Sequence, residues 1–221
     1  MQEIIHEILE YLEAHKNPKT QKQMENKGVA ESTYLGVAQK DLKVLYKKYR
    51  DQHALALVLY DLDHLDARSL ACMICDLEQM DRVQFDDWMD RTDSAWLIDY
   101  QLSVTLAGHR DAQSIAQAWI HSAVPKQVEG GFYTYCWLLG NRPDEAFTDD
   151  EIRTLLTFVA SAEVVTPAMA YFVEIVAVSY LPLHNEAVHL AQERDLAGAL
   201  RGISKMKERG KLGFKRNYLR C

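Results

Sequence analysis

Glycine and proline are scarce in this chain, 10 and 5 among 221 residues. Turn-rich all-β folds lean on both residues for their tight corners. Period-two alternation of β-branched residues is equally hard to find, so a sandwich or barrel is excluded. Long apolar runs are absent too, and none approaches the roughly 18 residues of a membrane span. The N-terminal MQEIIHEILEYLEAH is acidic and amphipathic, with neither a basic leader nor a cleavable apolar stretch. A cytoplasmic protein without membrane attachment is the expectation. Cysteine is limited to Cys72, Cys75, Cys136 and Cys221. The Cys72–Cys75 pair lies within the apolar helical pattern ARSLACMICDL, with no second Cys/His pair at zinc spacing, and reads as core thiols. The eight histidines are scattered, without an i, i+4 pair beside an acid. No metal and no cofactor are expected. No Ser/His/Asp or Cys/His arrangement stands out, and no glycine-rich phosphate loop precedes a helix.

What is present is apolar recurrence at three and four. Ile4, Ile5, Ile8, Leu9 and Leu12 form one face of a first helix. Asn17-Pro18 opens a second, and Val37, Leu42, Leu45 and Tyr46 mark a third. Further faces follow at Ala54–Leu59, Ala67–Ile74, Phe85–Met89, Trp96–Leu106, Ala112–Ile120 and Phe132–Leu139. Thr148-Asp-Asp-Glu151 is a capping-box pattern, and Thr166-Pro167 puts a capping hydroxyl before a proline at the first helical position. Helices then run to about Ala160 and Tyr180, with more from Leu183 to Arg209. About a dozen short helices, paired every 30 to 45 residues or so, have the rhythm of HEAT-like solenoids. The expected fold is therefore all-α: a right-handed α-α superhelix of about six helix pairs. It covers residues 1–209 as one domain, with residues 210–221 as an extended basic arm.

Charge is distributed unevenly. Residues 16–50 carry nine Lys/Arg against three acids, residues 51–193 seven against twenty-three, and residues 194–221 nine against two, within a net charge of −7. Basic ends flanking an acidic middle suit a polyanionic partner. Lys40, Lys43, Lys47 and Lys48 share one side of the third helix, as a phosphate-contacting or merely solvated face. In the C-terminal segment Lys211, Lys215, Arg216 and Arg220 interleave with Phe214 and Tyr218, a mixture suited to a nucleic-acid backbone. Trp88, Trp96, Trp119 and Trp137 lie on apolar helical faces, where core packing is the usual fate.

Several segments, in order, resemble the DNA alkylation repair family of HEAT-like-repeat proteins. NPKTQKQMENKGV (17–29) is similar to that family's second helix with its spaced lysines. YLGVAQKDLKVLYKKY (34–49) resembles its FGV segment, and HALALVLYDLDHLDARSLACMI (53–74) places Asp66 and Arg68 in an acid-x-Arg pattern. DDWMDRTDSAWLID (86–99) resembles the active-site segment. FVEIVAVSYLPLHNEAV (172–188) and KMKERGKLGFKR (205–216) resemble a subgroup with a Tyr-x-x-Pro-Leu helix and a basic tail.

The resemblance implies a DNA-binding protein that excises cationic N3- or N7-alkylpurines without a metal; the sequence leaves the oligomeric state open, a monomer being the favoured expectation. Asp99 matches the family's catalytic carboxylate and Trp96 would be its aromatic neighbour, although the family's own Trp position holds Ala95. Tyr180 and Trp137 are the implied substrate-pocket aromatics. Lys40, Lys43, Lys47, Arg68, Lys211, Lys215 and Arg216 are the implied DNA contacts. Where the family carries a phosphate-contacting Arg, this chain has Glu129 and Gly130. The alternative reading is an inactive HEAT-like scaffold that binds nucleic acid or a protein.

Overall fold

The computed structural model describes residues 1–25 and 34–216, and among them every regular element is helical. The chain divides into two compact units, Met1–Thr105 and Leu106–Cys221. The first contains α1 (Gln2–Ala14), α2 (Pro18–Glu25), α3 (Gln39–Tyr49), α4 (His53–Asp61), α5 (Leu65–Ile74) and α6 (Arg82–Asp90). A composite helix follows: α7 (Ala95–Leu97), a π-helical turn (Ile98–Leu102) and α8 (Ser103–Ala107). The second unit contains α9 (Ala112–Ile120), α10 (Pro125–Asn141), α11 (Asp149–Ser161), α12 (Pro167–Ser179), α13 (His184–Glu193) and α14 (Ala197–Glu208). No described helix is long and apolar enough to cross a membrane.

Each unit is organised around a helix that is apolar on nearly all sides. In the first this is α5, where every residue except Arg68 is buried. Cys72 and Cys75 lie here as buried free thiols, and burial pushes the Cys72 thiol far up. In the second unit it is α12, with Phe172 at 5.3 Å from Phe132 between ring centroids. Helix α9 approaches α10 closely because Gly131 has no side chain. A Cβ there would fall 2.6 Å from Ile120 Cγ1 and 2.7 Å from the Ala116 carbonyl oxygen.

Local signals place the helix starts. The hydroxyls of Thr148 and Thr166 accept from the amides of Glu151 (3.1 Å) and Met169 (3.4 Å). The capping box at Thr148 is only half made, because the Glu151 carboxylate instead accepts the Tyr135 hydroxyl at 2.6 Å. A complete box forms at Asp81 and Gln84 on α6.

Helix ends are closed by cations from neighbouring elements. The last carbonyls of a helix lack intrahelical donors and carry its negative partial charge. Arg68 donates to the carbonyls of Tyr60 (3.1 Å) and Arg91 (2.9 Å), at the ends of α4 and α6. Arg142 donates to Ala107 (3.0 Å), the last residue of α8, and to His109 (3.3 Å) just past it. Arg194 donates to Ala160 (2.5 Å) and Ala162 (2.7 Å), at the end of α11.

Lys215 is the most heavily engaged of these cations. Its ammonium donates to Leu139 of α10 (2.8 Å) and Ser179 of α12 (2.6 Å), and it pairs with Asp144 at 2.7 Å. The segment around it, expected as an extended arm, turns at Leu212–Gly213 and is docked as far as Arg216. The Gly213 amide donates to Val178 and the Arg216 amide to Gly140, both at 2.7 Å. Gly213 adopts φ 75° and passes so near Leu181 that a Cβ would approach it to 2.9 Å. Residues 211–216 therefore form a strap over the ends of α10 and α12.

Lys215→Ala would strand two helix-end carbonyls and a carboxylate. It is expected to lower the unfolding free energy by about 2 kcal/mol, measured by urea denaturation. Lys211→Ala, an exposed cation of the same strap, should change it by less than about 0.5 kcal/mol.

Candidate functional site

In the first unit the sequence brings three aromatic rings to one place, starting from a short loop held by a buried carboxylate. Gly36 turns that loop at φ 74°, where a Cβ would lie 2.8 Å from the Asn17 carbonyl oxygen. The amides of Leu35 and Val37 donate to the two carboxylate oxygens of Asp66, at 2.7 and 3.0 Å. Asp66 is 1% exposed. Burial pushes its carboxyl up, and the amide bonds and the neighbouring His64 offset this only in part. His64 caps α5, its Nδ1 accepting from the Ala67 amide at 3.3 Å, and burial holds its imidazole down. The acid of the acid-x-Arg pattern thus anchors the 34–38 loop. The Arg two residues on closes α4 and α6, lying 5.6 Å over the Tyr60 ring.

The anchored loop presents Tyr34. Its phenol is pushed up to about 12 by burial and by the Asp66 charge. The Tyr34 ring stands 5.7 Å from that of Trp96, and Trp96 stands 6.4 Å from Tyr100. Trp96 is half-buried, while Tyr100 is 50% exposed. The Ser94 hydroxyl starts this segment by accepting from the Leu97 amide. The backbone then loosens into the π-helical turn, with the Ser103 amide bonded to the Ile98 carbonyl. Such turns cost regular hydrogen bonding and recur at functional sites. Asp99 lies half-buried on this turn, directly before Tyr100.

Lys40, Lys43 and Lys47 are exposed along one face of α3, beside the 52%-exposed Val44. None of the three has an ion-pair or hydrogen-bond partner among the described residues. Lys48, next to them, is paired with Glu7. Arg68 is not on that surface, because its side chain is only 13% exposed and is held by carbonyls.

The remaining candidates belong to the second unit. Tyr180 is 2% exposed, and its hydroxyl donates to Asp149 at 2.7 Å, which makes it a core residue. Trp137 is half-buried and lines a small recess with Tyr171, Ile175 and Arg216. Lys215 is enclosed by its three acceptors, whereas Lys211 and Arg216 are exposed. Tyr218 and Arg220 lie outside the described residues. Glu129 is half-buried on α10, and burial raises its carboxyl. Tyr34 and Tyr100 went unrecognised in the sequence; the available signal was Tyr100 standing four residues after Trp96.

A family model described as "DNA alkylation repair enzyme" matches residues 8–125. The chain belongs to the DNA alkylation repair family. A solved structure is similar over almost its whole length, with a TM-score of 0.89, 35% identity, and coverage of 98% of this chain and 99% of that one. It is described as a new family of proteins related to the HEAT-like repeat DNA glycosylases with affinity for branched DNA structures. No curated protein sequence matches significantly. The all-α fold of this DNA alkylation repair family member is accordingly HEAT-like.

Asp66→Asn would set an NH₂ group against one of the two loop amides and should cost about 1–3 kcal/mol. The sign of its pH dependence follows from the raised carboxyl. The contribution of Asp66 is whole below its ordinary value of 3.8 and is lost as pH rises through the higher folded-state value. The stability gap between wild type and variant should therefore be widest in acid and narrow as pH rises, as read from urea midpoints.

Proposed function

We propose that this protein binds branched DNA through its phosphates, without reading sequence. The carrying observation is the face of α3, where Lys40, Lys43 and Lys47 stand exposed and unpaired among the described residues. Their i, i+3, i+7 spacing keeps them on one side of the helix, and exposed lysines neutralise phosphates with release of counterions. The 35% identity to a protein with affinity for branched DNA, over 98% of this chain, supports the same class of partner. Replacing the three lysines by glutamine should weaken binding to a four-way junction at least tenfold. It should also flatten the dependence of log K on log salt by up to about 3. Affinity that ignores both salt and the substitutions would rule this reading out.

Excision of a cationic alkylpurine at Asp99 is the second reading, favoured by the π-helical turn on which Asp99 directly precedes Tyr100, whose ring stands 6.4 Å from that of Trp96. A cationic base is already a good leaving group. The chemistry therefore asks for a carboxylate to stabilise the oxocarbenium-like sugar and for rings to hold the cation. Two features weigh against it. Tyr180 is closed into the core, and Glu129 occupies the place where the resemblance puts a phosphate-binding Arg. Release of 7-methylguanine from methylated duplex should be at background for wild type and Asp99→Asn alike if only binding is retained. Release by wild type that Asp99→Asn abolishes would establish the enzyme.

A further inference from the structure

Phe214 stands 53% exposed in the strap, although the residues on either side of it are held fast. Gly213 before it is bonded through its amide to Val178 and lies against Leu181, at a φ that a side chain would strain. Lys215 after it is enclosed by Leu139, Ser179 and Asp144, and the Arg216 amide is bonded to Gly140. The Phe214 amide itself closes the turn onto the Lys211 carbonyl at 3.3 Å. The backbone beneath the ring is pinned on both sides, so an apolar face is displayed at a constant place rather than on a loose tail. Leu181, which meets Gly213, is 47% exposed, and Pro182 follows it at the surface.

Single exposed apolar residues are common and call for no explanation. This one differs in its surroundings. Residues 209–216 hold four cations and no acid, and the Lys211 ammonium lies 5.6 Å from the centre of the Phe214 ring. Arg201, Lys205 and Lys207 are exposed on α14 just before the strap. A surface built to bind protein is depleted of lysine, and of charge at its centre. An aromatic ring framed by cations matches instead a partner with flat apolar faces bordered by phosphates. Nucleic acid offers such faces only where its bases are not already stacked. Inside a linear duplex each base-pair face is covered by the next pair, whereas at a branch the flanking pairs can lose a neighbour.

We propose that Phe214 stacks on a base exposed at the branch point of branched DNA, with Leu181 alongside it and the cations of the strap and α14 on the adjoining phosphates. All of these residues belong to the second unit. The proposal rests on the DNA-binding reading above and adds what phosphate contacts do not supply. Phosphates line linear and branched DNA alike, so a preference for branches calls for a contact to something that only the branch exposes.

The test titrates a four-way junction, kept open by omitting divalent cations, and a linear duplex of the same arm sequence with wild type, Phe214→Ala and Phe214→Trp over a range of salt. Circular dichroism and urea midpoints check that each variant is folded. Phe214→Ala should lose about tenfold in junction affinity. Its affinity for linear duplex should stay within about twofold and its salt slope should not change, because no cation has been removed. Phe214→Trp keeps a stacking face and should bind the junction at least as well as wild type. Junction affinity unchanged by Phe214→Ala would overturn the proposal and leave the ring to a protein partner. The DNA-binding reading would still stand in that case if changing Lys40, Lys43 and Lys47 to Gln weakened binding in the same assay. An equal loss on both DNAs, or a Trp variant as weak as the Ala variant, would overturn stacking as well. No salt-dependent affinity of wild type for either DNA would remove the DNA-binding reading, and the proposal with it.

Discussion

Short helices have a structural cost that long ones dilute: each ends in carbonyls that nothing within the helix can satisfy. This chain, built almost wholly of helices of 8 to 17 residues apart from its split seventh, meets that constraint with cationic side chains from neighbouring elements. Arg68, Arg142, Arg194 and Lys215 each reach two carbonyls. Cations used in this way are not offered to a partner. The constraint therefore sorts the basic residues: those held by carbonyls shape the protein, and the exposed remainder on α3, α14 and the strap gives it a positive surface.

That sorting marks the limit of what the sequence could reveal. Apolar periodicity gave the helices because burial against a neighbour writes a 3.6-residue rhythm into the chain, and the Thr148 and Thr166 starts were readable for equally local reasons. Composition alone could not tell Lys215, enclosed by three acceptors, from Lys211, four residues earlier and exposed. Nor could it show that Arg68 closes two helices. Both depend on which chain segment arrives opposite, a long-range property that residue types do not encode. The half-made box at Thr148 follows the same logic, since Tyr135 competes successfully for the Glu151 carboxylate.

The aromatic site was partly legible. Resemblance drew attention to Trp96 and Asp99, and the structure places them on one irregular segment of helix. It could not supply Tyr34, which arrives from a distant loop held by the buried Asp66. Burial of the 34–38 loop amides on a carboxylate, rather than on ordered solvent, ties the ring's position to the core of the first unit. Tyr180, matched by order along the chain, belongs to the hydrophobic interior of the second unit because its hydroxyl finds Asp149 there.

The strap has a consequence for the timing of folding. Helices α10 and α12 are complete in sequence by Ser179, yet their carbonyl ends wait for a lysine 36 positions further on. During synthesis the first unit already contains the arginine that closes its own helices, and it can reach its final packing while the ribosome is still extending the chain. The second unit lacks the matching closure of α10 and α12 until Lys215 has left the exit tunnel. A nascent chain arrested just short of that residue would hold a first unit with its helix ends closed and a second with the ends of α10 and α12 still open.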